Sequence, residues 1–302
     1  MLNEIYQYAT AWAVANQRQI LKNRILGRTT EMLYRVYVDL KTISYPKKKQ
    51  CENVVVSMTT YPARINEVYY CLHSLLRQTV QPYKTILWLA KEQFPREEQS
   101  VPKRILKLRE YGLEIRFCSD FRSYKKILPT IEKYRDKVIV TADDDALYPE
   151  DWLENLISES EKYPDCVVCY RAHEMRFDDN RIYPYSQWNG LSKDVKGPSK
   201  SLVPIGVGGV LYPRYYFNNI DIGYNTIKEL APTTDDIWLK IVGVLNRTPV
   251  VKVNKNSKEW FTVHGSQKSS LRSINVDESN ANDLALRNLI TYYSIDLFDA
   301  TR

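Results

Sequence analysis

The spacing of apolar residues changes near residue 50. Before it, Ile5, Ala9 and Trp12, then Leu21 and Ile25, then Met32, Leu33, Val36 and Leu40 recur three or four residues apart. That period predicts helix over residues 1–45. The run Tyr45-Pro46-Lys47-Lys48-Lys49-Gln50 breaks it and reads as a linker. After it, short wholly apolar runs alternate with helical stripes. Strands are expected at Asn53–Met58, Lys84–Leu89, Leu113–Cys118 and Lys137–Ala142. Between them, helices are expected over residues 65–78, 95–110 and 124–134. The first carries a stripe through Ile65, Val68, Tyr69, Leu72, Leu75 and Leu76. Strands apolar on both faces and alternating with helices predict an α/β fold, a mostly parallel sheet flanked by helices. Ligands of such sheets collect at the carboxyl ends of the strands. The second half is less regular: a strand at Asp165–Tyr170, a polar loop over 178–200, a helix at 234–246, a strand at Val250–Val253 and a last helix at 281–295. The pattern therefore divides the chain into a helical arm (1–50), an α/β domain (51–275) and a C-terminal helix (276–302).

Charge sharpens the first boundary. Residues 1–50 hold nine Lys and Arg against three acids, which is +6 of the chain's net +7. The basic character belongs to the arm, and the near-neutral remainder gives no reason to expect a nucleic-acid partner. A basic amphipathic helix with Trp12 suits an anionic membrane face; packing on its own domain, or on a second subunit in a homo-oligomer, uses the same apolar stripe. No apolar run reaches 18 residues, and the N-terminus lacks a charged segment followed by an apolar one. The expected location is cytoplasmic, with the inner face of the cell membrane as the peripheral option. Five irregularly spaced cysteines do not form a disulfide framework, and Cys166-Val167-Val168-Cys169 reads as a pair of core thiols within a strand.

The chemistry concentrates in four places. Asp143-Asp144-Asp145 stands at the carboxyl end of the apolar run KVIVTA. Three adjacent carboxylates repel one another and are costly to desolvate, so at the end of a buried strand they call for a cation, and hard divalent ions choose oxygen ligands. In a random loop the same triplet would be a solvated turn. Gly206-Val207-Gly208-Gly209 lets backbone approach a ligand closely, or makes a bulge or tight turn. Asp235 and Asp236 open an amphipathic helix, where acids serve ordinarily as caps. Of the three histidines, His73 lies on an apolar helix face and reads as core, His173 follows a strand, and His264 ends one before Gly265.

In their order, these segments resemble the nucleotide-sugar glycosyltransferases with the GT-A (Rossmann-like) fold, particularly the bacterial family 2-like enzymes. The resemblance runs from about Asn53 to about Leu271. VVVSMTTYPARI and LHSLLRQTVQP are similar to the family's opening strand, Thr-Tyr turn and following helix, and Asp143–Asp145 to its DXD motif. It implies a metal-dependent transfer of a sugar from a nucleotide-sugar, UDP first among bases, to a glycan or lipid-linked acceptor in surface polysaccharide (capsule) synthesis. It implies Mn²⁺ or Mg²⁺ on Asp143, Asp145 and His264. The donor site it implies takes in Thr60, Tyr61, Arg64, Asp120, Asp143, Asp144, Gly208, Gly209, Lys268 and one of Lys125 and Lys126. The general base of an inverting reaction would be Asp236, with Asp235 orienting the acceptor or a loop; because this chain carries Asp-Asp, the two exchange roles readily in such a reading. A retaining enzyme of the same fold would use the same metal set.

Two other classes compete. A nucleotidyltransferase would carry a glycine-rich phosphate loop after the first strand, and Thr59-Thr60-Tyr61-Pro62-Ala63-Arg64 has no glycine. A non-catalytic glycan- or nucleotide-binding module would need aromatics but not three separate acidic and histidine motifs. The loop with Tyr183, Tyr185, Trp188 and Asn189 is where acceptor choice is expected.

Overall fold

The computed structural model describes residues 29, 32–39, 49–192, 195–218, 220, 223–253, 261–262 and 280–301. Its strands, in chain order, are β1 (Lys49–Thr59), β2 (Val80–Ala90), β3 (Leu113–Cys118), β4 (Val138–Thr141), β5 (Ala146–Leu147), β6 (Val167–Cys169), β7 (Ala172–Glu174), β8 (Phe177–Asp178), β9 (Arg181–Ile182), β10 (Leu202–Pro204), β11 (Val210–Tyr212), β12 (Val250–Lys252) and β13 (Phe261–Thr262). Seven form one sheet in the order β12-β6-β11-β4-β1-β2-β3. Every neighbouring pair is parallel except those of β11, which runs antiparallel to both β4 and β6. The chain is thus a mixed α/β protein with a mostly parallel central sheet flanked by helices.

The apolar runs form this sheet because both of its faces are covered. Val54, Val55 and Val56 of β1 are 3%, 0% and 2% exposed. Val54 and Val56 join the core with Val68, Leu72 and Leu75, while Val55 faces Ile86, Trp88 and Tyr134. With no solvated face there is no polar alternation, which is why the strand reads as a continuous Val run. The helix Asp235–Leu245 packs with the last helix, Ala281–Tyr293, in a second core that holds Trp238, Leu286 and Leu289.

β1 is the point where the strand order turns. From it β2 and β3 continue to one side while β4 lies on the other. Loops leaving β1 and β4 therefore diverge and open a crevice at their carboxyl ends. The chain sets Thr59-Thr60-Tyr61 at the end of β1 and Asp143-Asp144-Asp145 just beyond β4.

Several expected elements differ in detail. Residues 95–110 do not form one helix. Pro102 starts the four-residue helix Lys103–Leu106, flanked by the tighter turns Glu97–Ser100 and Lys107–Tyr111, and Gly112 ends the segment at φ 96°. Similarly, the helix expected over 124–134 divides at Ile127 into a 3-10 turn, Arg122–Lys126, and a helix, Leu128–Tyr134, with Pro129 in its first turn. The polar stretch 178–200 contains strand β9, paired with β8, and the turn Tyr185–Gln187, and it buries Trp188. β2 is longer than expected, reaching back to Val80, and the last two residues of the expected linker, Lys49 and Gln50, belong to β1.

Of the arm, residues 32–39 are helical and packed: Val38 is 2% exposed, Arg35 pairs with Glu67 at 2.6 Å, and Tyr70 donates to Asp39 at 3.1 Å. Met32, Leu33 and Val36 on the same helix are exposed. No helix among the described residues is long and apolar enough to cross a membrane. Cys166 and Cys169 are buried free thiols, as a core reading expects.

Candidate active site

A cleft of about 1130 Å³ runs along the carboxyl ends of the sheet. One end is built by the loops after β1, β2 and β3, the centre by Asp143–Asp145, and the other end by the loop after β10, the start of helix Asp235–Leu245 and the segment around Tyr185 and Trp188.

The centre is a dense arrangement of opposite charges. Asp144 is buried and spoken for: Thr60 Oγ1 donates to its Oδ2 at 2.6 Å and Arg64 Nη1 to its Oδ1 at 2.6 Å. Arg64 also reaches Asp145 Oδ2 at 3.3 Å. The turn after β1 and the turn after β4 are therefore stitched together by Asp144, and its neighbours face the cleft on either side of it. Lys126 Nζ donates to Asp143 Oδ1 at 2.7 Å and lies 3.1 Å from Asp235 Oδ2, an ion pair without hydrogen-bond geometry. Burial opposes the Lys126 charge, but Asp143, Asp235 and Asp236 outweigh it and raise its pKa well above the usual lysine value. Asp236 accepts from the Gly206 backbone N–H at 3.2 Å. Burial, then the adjacent Asp235, holds the Asp236 carboxyl above the ordinary carboxylate range. Burial, followed by the charges of Asp143 and Asp144, pushes Asp145 up to about 6.

Gly206 marks where these groups meet. A Cβ there would lie 3.3 Å from both Asp236 Oδ1 and Lys126 Nζ and 3.4 Å from Asp143 Oδ2. The DDD turn, the 3-10 turn Arg122–Lys126 and the acidic pair, far apart in sequence, converge on one spot. Gly208 and Gly209 do not line the cleft. Gly208 backs onto Tyr170 and Arg171, and its carbonyl accepts from Trp152 Nε1 at 2.9 Å. Gly209, at φ 85°, passes so near the Trp152 ring that a Cβ would sit 2.3 Å from it. Of the glycine motif, then, Gly206 faces the charged cluster, and Gly209 lets the chain pass the buried Trp152.

The remaining expected residues divide as follows. Thr60, Tyr61, Arg64, Asp120, Lys125, Lys126, Asp143, Asp144, Asp145, Asp235 and Asp236 all line the cleft. Lys125 and Lys126, alternatives in the sequence, have different partners: Lys125 Nζ donates to Asp120 Oδ1 at 2.9 Å, away from the carboxylate centre. His264 and Lys268 lie outside the described residues. His73 is in the core, where burial and then Arg77 lower its pKa to about 4. His173 lines the cleft; its Nδ1 accepts from Leu191 N–H at 2.8 Å, which leaves the neutral ring's proton on Nε2. Tyr185 and Trp188 line the same end, with rings 4.8 Å apart, while Tyr183 and Asn189 do not. Gln93, Ser123, Arg171, Thr234 and Asn282 also line it and were not picked out from sequence. Their one shared signal is position, each lying in a loop or helix end beside the strand termini.

The donor set suits a hard cation in part. Five carboxylates (Asp143, Asp144, Asp145, Asp235, Asp236) face two seated cations, Arg64 and Lys126, and Asp145 is raised first by burial and then by its carboxylate neighbours. Among the described residues no group of three His, Cys, Asp or Glu is arranged to hold a metal ion. Asp143 and Asp145, the two expected carboxylate ligands, line the cleft and contact Lys126 and Arg64, and the expected third ligand, His264, lies outside the described residues.

No protein-family description matches the chain, and no curated protein does. Among solved structures, the chain is similar to the crystal structure of S. aureus TarS 1–349, with a TM-score of 0.43 and 14% sequence identity over 82% of this chain and 72% of that one.

Proposed function

We propose that this protein is a glycosyltransferase that moves a sugar from a nucleotide-sugar, a UDP-sugar first among candidates, onto a glycan or lipid-linked acceptor with inversion at the anomeric carbon. The observation that carries the reading is the convergence of Asp236 Oδ1, Lys126 Nζ and Asp143 Oδ2 about Gly206, inside a cleft at the strand-order switch. Sugar transfer needs a positive site for a leaving diphosphate beside a carboxylate that takes a proton from an incoming hydroxyl. Lys126 and Arg64 are held in place by the carboxylates around them, and because five carboxylates outnumber these two cations the positive site for a diphosphate would be completed by a divalent cation. Asp236, its pKa raised toward neutrality by burial and by Asp235, is the general base beside the same spot. Mn²⁺ or Mg²⁺ held by Asp143 and Asp145 would add Lewis-acid stabilisation of the leaving group. At the aromatic end the half-buried Tyr185, backed by the buried Trp188, offers an apolar ring face of the kind sugars stack on. The resemblance of the motif order to bacterial family 2-like enzymes extends the proposal to surface polysaccharide synthesis at the cytoplasmic membrane face.

Calorimetric titration with UDP-, GDP- and CMP-sugars, in Mn²⁺ and again in chelator, tests the reading. Binding of one nucleotide class, at least about tenfold tighter in Mn²⁺, is the expected result. A folded protein that binds none of them in either condition would overturn it.

A further inference from the structure

At the aromatic end of the cleft one polar side chain has no protein partner. Asn282 is 8% exposed, lines the cleft and makes no hydrogen bond among the described residues. Thr234 Oγ1 and Asp235 Oδ2 also lack a hydrogen-bond partner but are sealed from solvent, whereas the Asn282 amide keeps surface open to the cleft. It sits in the first turn of the helix Ala281–Tyr293, beyond Leu271, where the resemblance of the motif order ends. Its neighbours hold it in place. Asp283 Oδ1 accepts from the Tyr185 backbone N–H at 2.8 Å and ties the helix start to the loop that carries the aromatic ring. Tyr185 meets His173 edge-on with centroids 5.6 Å apart, and His173 Nδ1 accepts from Leu191 N–H at 2.8 Å. One turn further on, Ala285, Leu286 and Leu289 anchor the helix in the core that also holds Ile237 and Trp238. The amide is therefore a fixed polar group in a cleft wall, beside a half-buried aromatic ring.

We infer that Asn282 and Tyr185 form the subsite for an acceptor that is a neutral sugar ring, the amide binding two adjacent hydroxyls and the sugar's C–H face packing on Tyr185. This rests on the glycosyltransferase reading and names the class of its acceptor. A ligand that fills this end displaces the water on Asn282 and must replace its hydrogen bonds, which a lipid chain cannot do. A primary amide offers N–H donors and a carbonyl acceptor on one planar group. Adjacent hydroxyls, each able to donate and to accept, match that pair, and the apolar face of the same ring matches an aromatic side chain. An anionic acceptor group would meet the carboxylate of Asp283 beside Asn282 and those of Asp235 and Asp236 at the start of the neighbouring helix, with Arg171 in the same lining to set against them.

The test uses the full chain in Mn²⁺ and UDP, titrated with the methyl pyranosides of glucose, galactose, mannose and N-acetylglucosamine and with glycerol 3-phosphate, and followed by saturation-transfer NMR on the ligand. At least one pyranoside is expected to bind, and Asn282→Leu to weaken it about tenfold while UDP affinity stays within about twofold. Wild-type protein should lose the same factor when the bound pyranoside is replaced by either of two deoxy analogues at adjacent positions, a comparison that does not depend on how well the variant folds. Glycerol 3-phosphate binding in place of every pyranoside would overturn the assignment and give this end to an anionic acceptor. So would a pyranoside that binds Asn282→Leu as well as wild type, or one that no deoxygenation weakens. UDP binding with no pyranoside binding sinks this assignment alone. Pyranoside binding without UDP binding upholds the sugar subsite and sinks the nucleotide-sugar reading.

Discussion

Asp236→Asn is expected to slow nucleotide release from the donor by about 10²- to 10⁴-fold while changing donor affinity less than about threefold. The amide keeps the shape of the carboxylate, and its oxygen still accepts the Gly206 N–H that Asp236 accepts at 3.2 Å. What it removes is basicity. Asp235→Asn should behave differently, because Asp235 Oδ2 lies 3.1 Å from Lys126 Nζ and shares that cation with Asp143. Its loss unbalances the diphosphate side, so donor affinity should change along with rate. Steady-state rates and donor titrations on the two variants separate the roles that the Asp-Asp sequence leaves exchangeable. A near wild-type rate for Asp236→Asn would remove the base assignment.

The second large effect concerns stability. In metal-free protein, Asp145→Asn is expected to raise stability at pH 7.5 by about 2 kcal/mol while lowering metal-dependent turnover by at least about 10²-fold. Burial and two neighbouring carboxylates lift the Asp145 pKa from 3.8 to about 6. A carboxyl raised in this way binds its proton more tightly in the folded state than in the unfolded one. Stability therefore falls as pH rises from about 4 to about 6, and the full penalty is present above 6. Asparagine carries no such penalty, so the gain should vanish near pH 4; the weaker contact to Arg64, at 3.3 Å, offsets part of it. Thermal melts in chelator at pH 4 and pH 7.5 measure the difference, and added Mn²⁺ should close the gap by stabilising wild type alone. An asparagine variant less stable than wild type at pH 7.5 would show that Arg64 already compensates Asp145.

The sequence made the sheet legible where burial was two-sided. Val54–Val56 had to be a central strand, because nothing else buries three adjacent valines in that setting. The DDD triplet was legible for the same reason, since its position at the end of such a strand is what distinguishes it from a solvated turn. Elements with short-range competitors were not. Pro102 and Pro129 each sit near a helix start, and the apolar stripes running past them looked continuous although the backbone reset its dihedrals. β11 is hidden in a different way: Val210–Tyr212 is three residues long and follows directly on the glycines, too short to show a strand period, so the sequence does not reveal its antiparallel insertion between β4 and β6. Within the site, the pairing of side chains is what one dimension hides: nothing in the sequence says that Lys126 meets Asp143 while the adjacent Lys125 meets Asp120, because that depends on how the turn Arg122–Lys126 is wound.

Sugar transfer from a nucleotide donor is the claim on which the assignments of Lys126, Asp143, Asp145 and Asp236 all depend, and release of free nucleotide measures it most directly. The protein is incubated with each UDP-, GDP- and CMP-sugar in Mn²⁺, with Asp236→Asn run beside it. The expected result is release from one donor, abolished by chelator and reduced at least about 10²-fold in the variant. Release at the same rate from wild type and Asp236→Asn, or from no donor at all, would contradict the account.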